Sequence, residues 1–429
     1  MTVGAATAST ASTDTTRGAV LPRSIDEIRA DFPILERRIE GRPLVYLDNA
    51  ATSQKPLAVI EAIDSYYRNS NANVHRSMHQ LAAEAEQLYE GGRETVAAFV
   101  GADPGETVFV RNATEAINLV RFTWAREHVS QGDVVLITEM EHHSNIVPWQ
   151  LLCEERGAKL EYLTVGADGK LDLSELDRQL ATGRVRLIAF THVSNVLGTI
   201  NPVAEISRRA HAAGATVLVD GAQGVPQLAV DVKQLGADFY AFTGHKMLGP
   251  TGIGVLYGRR ELLEAMPPFL GGGSMIKFVE REHSSWADPP AKFEAGTPAI
   301  AEGAGLGVAA AYLGALGMDA VRAHERELTS YALERLSAIG GLTVFGPADA
   351  SERGSLVSFA IEGVHPHDLA ELVNREAVCI RAGHHCAQPL MSRLGVAATA
   401  RASFSVYNTR DEVDRLVEAI EGAKSVFGV

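Results

Sequence analysis

Lys246 stands in Thr243-Gly244-His245-Lys246, among aromatic, apolar and glycine residues. An ammonium in such surroundings is costly unless it is paired or neutralised. A lysine held partly neutral is also the side chain that condenses with carbonyls. Upstream, the apolar run Val217-Leu218-Val219 stops at Asp220, and Gln223 follows three residues later. Acids at strand ends lie on the functional edge of an open α/β sheet. Gly249, Gly252, Gly254 and Gly258 then let the backbone turn tightly or approach a ligand closely. A solvated loop lysine and a common strand-terminal aspartate explain either residue alone. They do not explain Asp220, Gln223, Thr243, His245 and Lys246 spaced as one group.

An acid upstream of such a lysine is what pyridoxal phosphate requires. The acid keeps the pyridine nitrogen protonated, so the ring withdraws electrons, and the lysine holds the aldehyde. A second reactive set lies near the C-terminus, in Arg381-Ala382-Gly383-His384-His385-Cys386-Ala387. Of the three cysteines, Cys153 falls in a predicted helix and Cys379 in an apolar strand, where both read as packing. Cys386 sits in a loop with histidines and an arginine nearby, the setting of a nucleophilic thiolate. One alternative is a surface loop with histidines as polar filler. The other is a zinc site from His365, His367, His384, His385 and Cys386. The chain lacks the second cysteine pair usual in structural zinc sites, so no resident metal is expected.

Predicted strands near residues 108, 134, 187, 217 and 237 must position these groups. Each ends in polar residues: Arg111 to Thr114, Glu139 to His143, His192 to Asn195, Asp220, and Thr243. Helical stretches between them predict right-handed crossovers and a mostly parallel sheet, an α/β fold. Thr114 opens a helix, either as a plain cap or as part of a phosphate site. Further helices are expected over about 56–68, 79–100 and 300–316, the last leading into a smaller C-terminal domain.

The motifs D-G-A-Q, T-G-H-K-x-x-G-P-x-G-x-G and R-x-G-H-H-C-A resemble those of class V, fold type I pyridoxal-phosphate enzymes. Within that class the chain resembles the SufS-type, group II cysteine desulfurases, from about Ile25 to the C-terminus. The resemblance implies a pyridoxal-phosphate-dependent transferase-like fold, with a large domain over 41–296 and a small α/β domain over 297–429. Residues 23–40 would form an arm packing on the small domain, and 1–22, rich in Ala, Thr and Ser, a disordered tail.

By the same resemblance, Lys246 holds the cofactor and carries protons, Asp220 meets the ring nitrogen, and His142 stacks on the ring in preference to its neighbour His143. Thr114, Thr243 and His245 would bind the phosphate, and Ala113, Gln223 and Asn195 would also bind the cofactor. Asn195 and Arg381 would hold the substrate carboxylate and Arg401 would lie near the substrate, with Cys386 as sulfur acceptor. Gly296 and Thr297, in Gly-Thr-Pro, would reach the phosphate in a partner subunit, implying a homodimer. His367 resembles a histidine of desulfurases that pair with the zinc-bearing acceptor SufU, favoured here over SufE. The implied reaction takes L-cysteine to L-alanine and a Cys386 persulfide, donated for iron–sulfur cluster assembly. The alternatives are a selenocysteine lyase and a non-catalytic binding or scaffold protein of the same fold.

Composition narrows the partners. The 429 residues are 46% apolar and 21% charged, ordinary for a globular protein. A net charge of −14 argues against nucleic acid or an anionic membrane as partner. No apolar stretch approaches the ~20 residues that cross a bilayer. Three cysteines in so long a chain suggest no disulfide framework, which points to the cytoplasm.

Overall fold

A computed structural model describes residues 19–75 and 78–428. Of the expected 1–22 tail, residues 1–18 lie outside the described residues.

The larger of two main sheets has seven strands. Their order is Thr107–Val110, Gly254–Gly258, Phe239–Thr243, Thr216–Asp220, Val185–Thr191, Val134–Thr138 and Lys159–Leu163. Phe239–Thr243 and the four strands beyond it are mutually parallel. Gly254–Gly258 runs antiparallel to both its neighbours, so Thr107–Val110 again points the way of the parallel set. Side-chain alternation sends Val217, Val219, Tyr240 and Phe242 to one apolar cluster and Leu218, Phe239 and Ala241 to another. Both faces are therefore covered, which is why these strands read as continuous apolar runs.

Two strands of this sheet escaped the sequence reading. Lys159–Leu163 is a half-exposed edge strand with two charged residues. Gly254–Gly258 lies inside the glycine-rich run that reads as turns. Gly254 must be glycine because a Cβ there would lie 2.7 Å from the Asn112 Cα. The helix expected over 56–68 is α-helical only at Leu57–Ser65 and then widens into a π-turn over Tyr66–Ser70. Helix Ile300–Leu316 packs closely on helix Gln80–Phe99, and a Cβ on Gly92 would stand 2.4 Å from the Gly303 carbonyl oxygen.

The second sheet is antiparallel, in the order Leu342–Phe345, Leu356–Ile361, Thr399–Ser403 and Arg381–Gly383. Helices Met318–Ser337, Pro366–Arg375 and Arg410–Phe427 share its apolar cluster. Helix Ile300–Leu316 instead belongs to the large sheet's cluster. The small sheet's cluster gains helical residues only from Leu328 onward, further along than the 297 start expected for the smaller domain. The N-terminal segment touches both units. Ile28 and Phe32 join the large cluster, while Arg29 donates to the Tyr407 carbonyl and pairs with Glu412 at 3.0 Å. Val45–Tyr46 pairs in parallel with Val378–Cys379, tying residues before the large sheet to the small unit.

Candidate active site

The carboxyl ends of the parallel strands and the small unit's Arg381–Gly383 strand enclose one cavity of about 230 Å³. Lys246, Asp220, Gln223, Thr243, His245, Thr114, Ala113, His142, Asn195, Arg381, Arg401 and Cys386 all line it. Gly296 and Thr297 do not; they are exposed and lie elsewhere on the chain. His367 is also exposed, in the first turn of helix Pro366–Arg375, with its Nε2 3.6 Å from where a Cβ on Gly383 would stand.

At the floor, Asp220 ends its strand fully buried, and its Oδ1 accepts from the Ala222 amide at 3.0 Å. Burial raises the Asp220 pKa, so this carboxylate seeks a cation. Burial drives the Lys246 ammonium down to about 8, against the opposing pull of Asp220. Lys246 closes the short 3₁₀ turn Gly244–Lys246 directly after strand Phe239–Thr243. Its preceding peptide is fixed: the His245 carbonyl accepts from the Ser53 amide at 3.0 Å and from Lys55 Nζ at 2.9 Å. Gln223 donates to the Ala50 carbonyl at 2.7 Å, which holds it against the wall.

One side is built for an anion. Asn112, not Thr114, caps helix Ala113–Val120, its side chain accepting from the Glu115 amide at 2.9 Å. That leaves the Thr114 hydroxyl for Ser144 Oγ at 2.6 Å, and the first-turn amides of Ala113 and Thr114 without helical partners. Thr243 Oγ1 is buried with no hydrogen-bond partner among the described residues. An orphaned hydroxyl beside free helix amides fits a phosphate group. With the Lys246–Asp220 pair, this donor set fits pyridoxal phosphate.

His142 Nδ1 accepts from the Ser144 amide at 3.1 Å, which leaves the proton on Nε2. Burial, with Lys246 nearby, lowers its pKa to about 3, so the ring stays neutral. His143 is turned toward the cysteine loop and lines none of the cavity.

On the opposite side, both arginines converge on Asp48. Arg381 Nε lies 3.2 and 3.1 Å from its two oxygens, and Arg401 Nη2 3.4 Å from Oδ1. Arg401 also donates to the Asn195 carbonyl at 2.7 Å, and its buried Nε has no partner among the described residues. Two guanidinium groups share one carboxylate, so the pair can accept a second. Among the cysteines, Cys153 is buried with its thiol pushed up to about 11, Cys379 is half-buried and pushed up, and Cys386 is exposed at the cavity.

Asn112 and Ser144 are site residues that sequence reasoning did not single out, His385 entered it only as a zinc-site alternative, and Asp48 carried no role of its own. The signal for Asp48 is the segment Tyr46-Leu47-Asp48-Asn49-Ala50-Ala51, although a strand followed by an Asx turn accounts for it equally well. No three His, Cys, Asp or Glu side chains among the described residues are grouped to hold a metal.

Residues 45–416 match the aminotransferase class-V family. A Halobacterium salinarum protein named probable cysteine desulfurase is 52% identical over 408 residues, spanning 95% of this chain and 98% of its own. A Streptomyces coelicolor protein of the same name is 51% identical over 95% of this chain and 99% of its own. Among solved structures, the apo cysteine desulfurase of Thermococcus onnurineus superposes with a TM-score of 0.89 at 39% identity, covering 94% of this chain and 98% of that one. The Escherichia coli cysteine desulfurase CsdA, in an S-sulfonic acid form, does so at 0.87 and 41%, covering 94% and 99%.

Proposed function

Because the chain belongs to the aminotransferase class-V family, as one of its pyridoxal-phosphate-dependent cysteine desulfurases, we infer that Cys386 is the thiol that receives the sulfur of L-cysteine. The observation that carries this is the shared cavity. An exposed thiol on the small unit faces the same space as the buried lysine and aspartate of the large one. A lyase that released its product directly would have no task for that thiol. A scaffold protein would have none for a desolvated lysine.

Pyridoxal phosphate, when bound, supplies an electron-withdrawing ring that lets bonds at the substrate's Cα and Cβ break. Lys246 would hold it, Asp220 would keep its ring nitrogen protonated, and neutral His142 would pack against the ring. Gln223 and Asn195 would also bind it, and Ala113, Thr114, Thr243 and His245 would take the phosphate. Arg381 and Arg401 grip the substrate carboxylate through planar, bidentate forks. Lys246 moves the proton at Cα. Cys386 Sγ then attacks the substrate sulfur. An S–S bond forms, the C–S bond breaks, and the carbon keeps the electron pair and takes a proton. L-alanine leaves, and the persulfide stays on Cys386.

The subgroup is SufS-type, group II, supported by the short histidine-bearing cysteine loop. The reading extends to a cytoplasmic homodimer in which Gly296 and Thr297 serve the partner's phosphate; their exposure away from their own cavity supports this. It extends also to iron–sulfur cluster assembly through a SufU-like acceptor, for which exposed His367, beside the Cys386 loop, is the contact. Among the described residues no single helix is long and apolar enough to cross a membrane.

The test is alanine formation from L-cysteine and from L-selenocysteine by wild type and Cys386→Ala. Loss with cysteine but not with selenocysteine supports sulfur transfer through the thiol. Equal rates with both substrates in Cys386→Ala would make the chain a lyase instead.

A further inference from the structure

His385 and Cys386 have φ of +51° and +57°, two consecutive non-glycine residues in the left-handed region. L side chains disfavour that conformation, so it persists only where the surroundings over-determine it. Within the loop, His384 Nδ1 accepts from the Cys386 amide at 3.1 Å, and the Ala387 amide donates to the His384 carbonyl at 2.9 Å. Asn195 donates to the His385 carbonyl at 2.7 Å.

His385 Nε2 is held at Thr399, 2.9 Å from its Oγ1 and 3.1 Å from its carbonyl oxygen, and two further bonds go to His143, on the large unit. Its amide donates to the Cys386 carbonyl at 2.7 Å, and its Nε2 accepts from the Gln388 amide at 3.2 Å. Gln388 begins helix Gln388–Leu394, whose N-cap residue, Ala387, has no side chain able to cap it. His143 supplies the missing acceptor from another element, and its ring lies 5.6 Å from that of His384. It is the direct neighbour of His142, whose ring faces the cavity.

We propose that His143 is a positioning residue for sulfur transfer: it latches the strained Cys386 loop to the turn that carries His142, and so sets where the Cys386 sulfur stands. The proposal rests on the reading of Cys386 as sulfur acceptor. Because Nε2 accepts, the imidazole proton resides on Nδ1. One rigid turn thereby registers the nucleophile against the site of cofactor chemistry, across the boundary between the two units. Displacing a reacting atom by about an ångström slows a reaction by up to about a hundredfold. The latch therefore acts on transfer while leaving cofactor and substrate binding intact.

The experiment uses the full-length holoenzyme and three variants. His143→Phe keeps a ring but has no acceptor, His143→Gln offers an oxygen at similar reach, and His143→Asn is too short to reach Gln388. Amide hydrogen exchange over residues 384–390 is measured without substrate. Alanine formation and the cysteine-induced change in cofactor absorption are measured beside it. In His143→Phe, exchange at Gln388 should rise and kcat fall, each about tenfold, with KM and the absorption change retained. His143→Gln should recover both. If His143→Phe does not fold, His143→Asn carries the same expectations. Wild-type exchange and kcat in the acceptor-free variant would overturn the latch. So would loss of the absorption change, which would assign His143 to the cofactor or substrate site. Should Cys386→Ala make alanine at the wild-type rate, the sulfur-acceptor reading fails by itself, and the exchange result still decides the latch.

Discussion

Burial at Lys246 creates a nucleophile near neutral pH by the same desolvation that makes the site expensive to fold. An exposed lysine is almost wholly protonated at pH 8, whereas Lys246, at about 8, is half neutral there. Only the neutral amine attacks an aldehyde. Cofactor uptake by the apoprotein, followed by absorbance, should therefore rise with pH through a midpoint near 8 and level off above it. A rate still climbing through pH 10 would mean an exposed, ordinary lysine. Residues of this kind were legible in the sequence because their types are chemically rare in their settings: a lysine among glycines and aromatics, a cysteine among histidines. Asp48 was not, since an acid after a strand is common. Its significance comes from Arg381 and Arg401, more than 300 positions away. Thr114 was legible as a helix-start residue, but the cap is Asn112, which frees the threonine hydroxyl for the cavity.

Among elements, the strand ends deliver the site and glycines decide how closely the elements approach. The predicted parallel strands were legible because strands buried on both faces leave uninterrupted apolar runs. Gly254–Gly258 was hidden because its terminal glycines, Gly254 needed for the approach to Asn112 and Gly258 for that of Leu263, look like turn residues. The segment before Gly296 and Thr297 is held by Glu294, which accepts from Arg93 at 2.6 and 2.8 Å, from the Phe109 amide at 2.7 Å and from the Tyr89 hydroxyl at 3.0 Å. Arg93 is 2% exposed and would keep only the more exposed Glu90 and the Thr107 carbonyl, so removing Glu294 takes away its one buried carboxylate partner among the described residues. Glu294→Ala should destabilise the protein by about 3 kcal/mol in denaturant unfolding. If Gly296 and Thr297 serve the partner's phosphate, the same variant should lose cofactor more readily in the dimer. A change under about 0.5 kcal/mol would show that the network is not structural. A wild-type chain sedimenting as a monomer with full cofactor would remove the dimer reading.

At the scale of the whole molecule, two sheets with separate apolar clusters meet along one cavity, and chemistry is divided between them. The large unit holds the lysine, the aspartate and the helix start with its free amides; the small unit brings the arginines and the thiol. This division was legible only in outline. The helix Ile300–Leu316, expected in the smaller domain, packs on Gln80–Phe99 through glycines whose purpose no linear pattern discloses. On the outer surface, exposed His367 stands beside Gly383, three residues before Cys386. His367→Ala should lower acceptor-stimulated turnover severalfold while leaving basal turnover unchanged. Equal stimulation in the variant would remove this histidine from the partner contact.

The central claim is that sulfur leaves L-cysteine onto Cys386. It is tested most directly by mass spectrometry of the holoenzyme after brief exposure to L-cysteine, without an acceptor protein. The account predicts one extra sulfur on the peptide carrying Cys386 and none on those carrying Cys153 or Cys379. Alanine formed while the Cys386 peptide stays unmodified would contradict it.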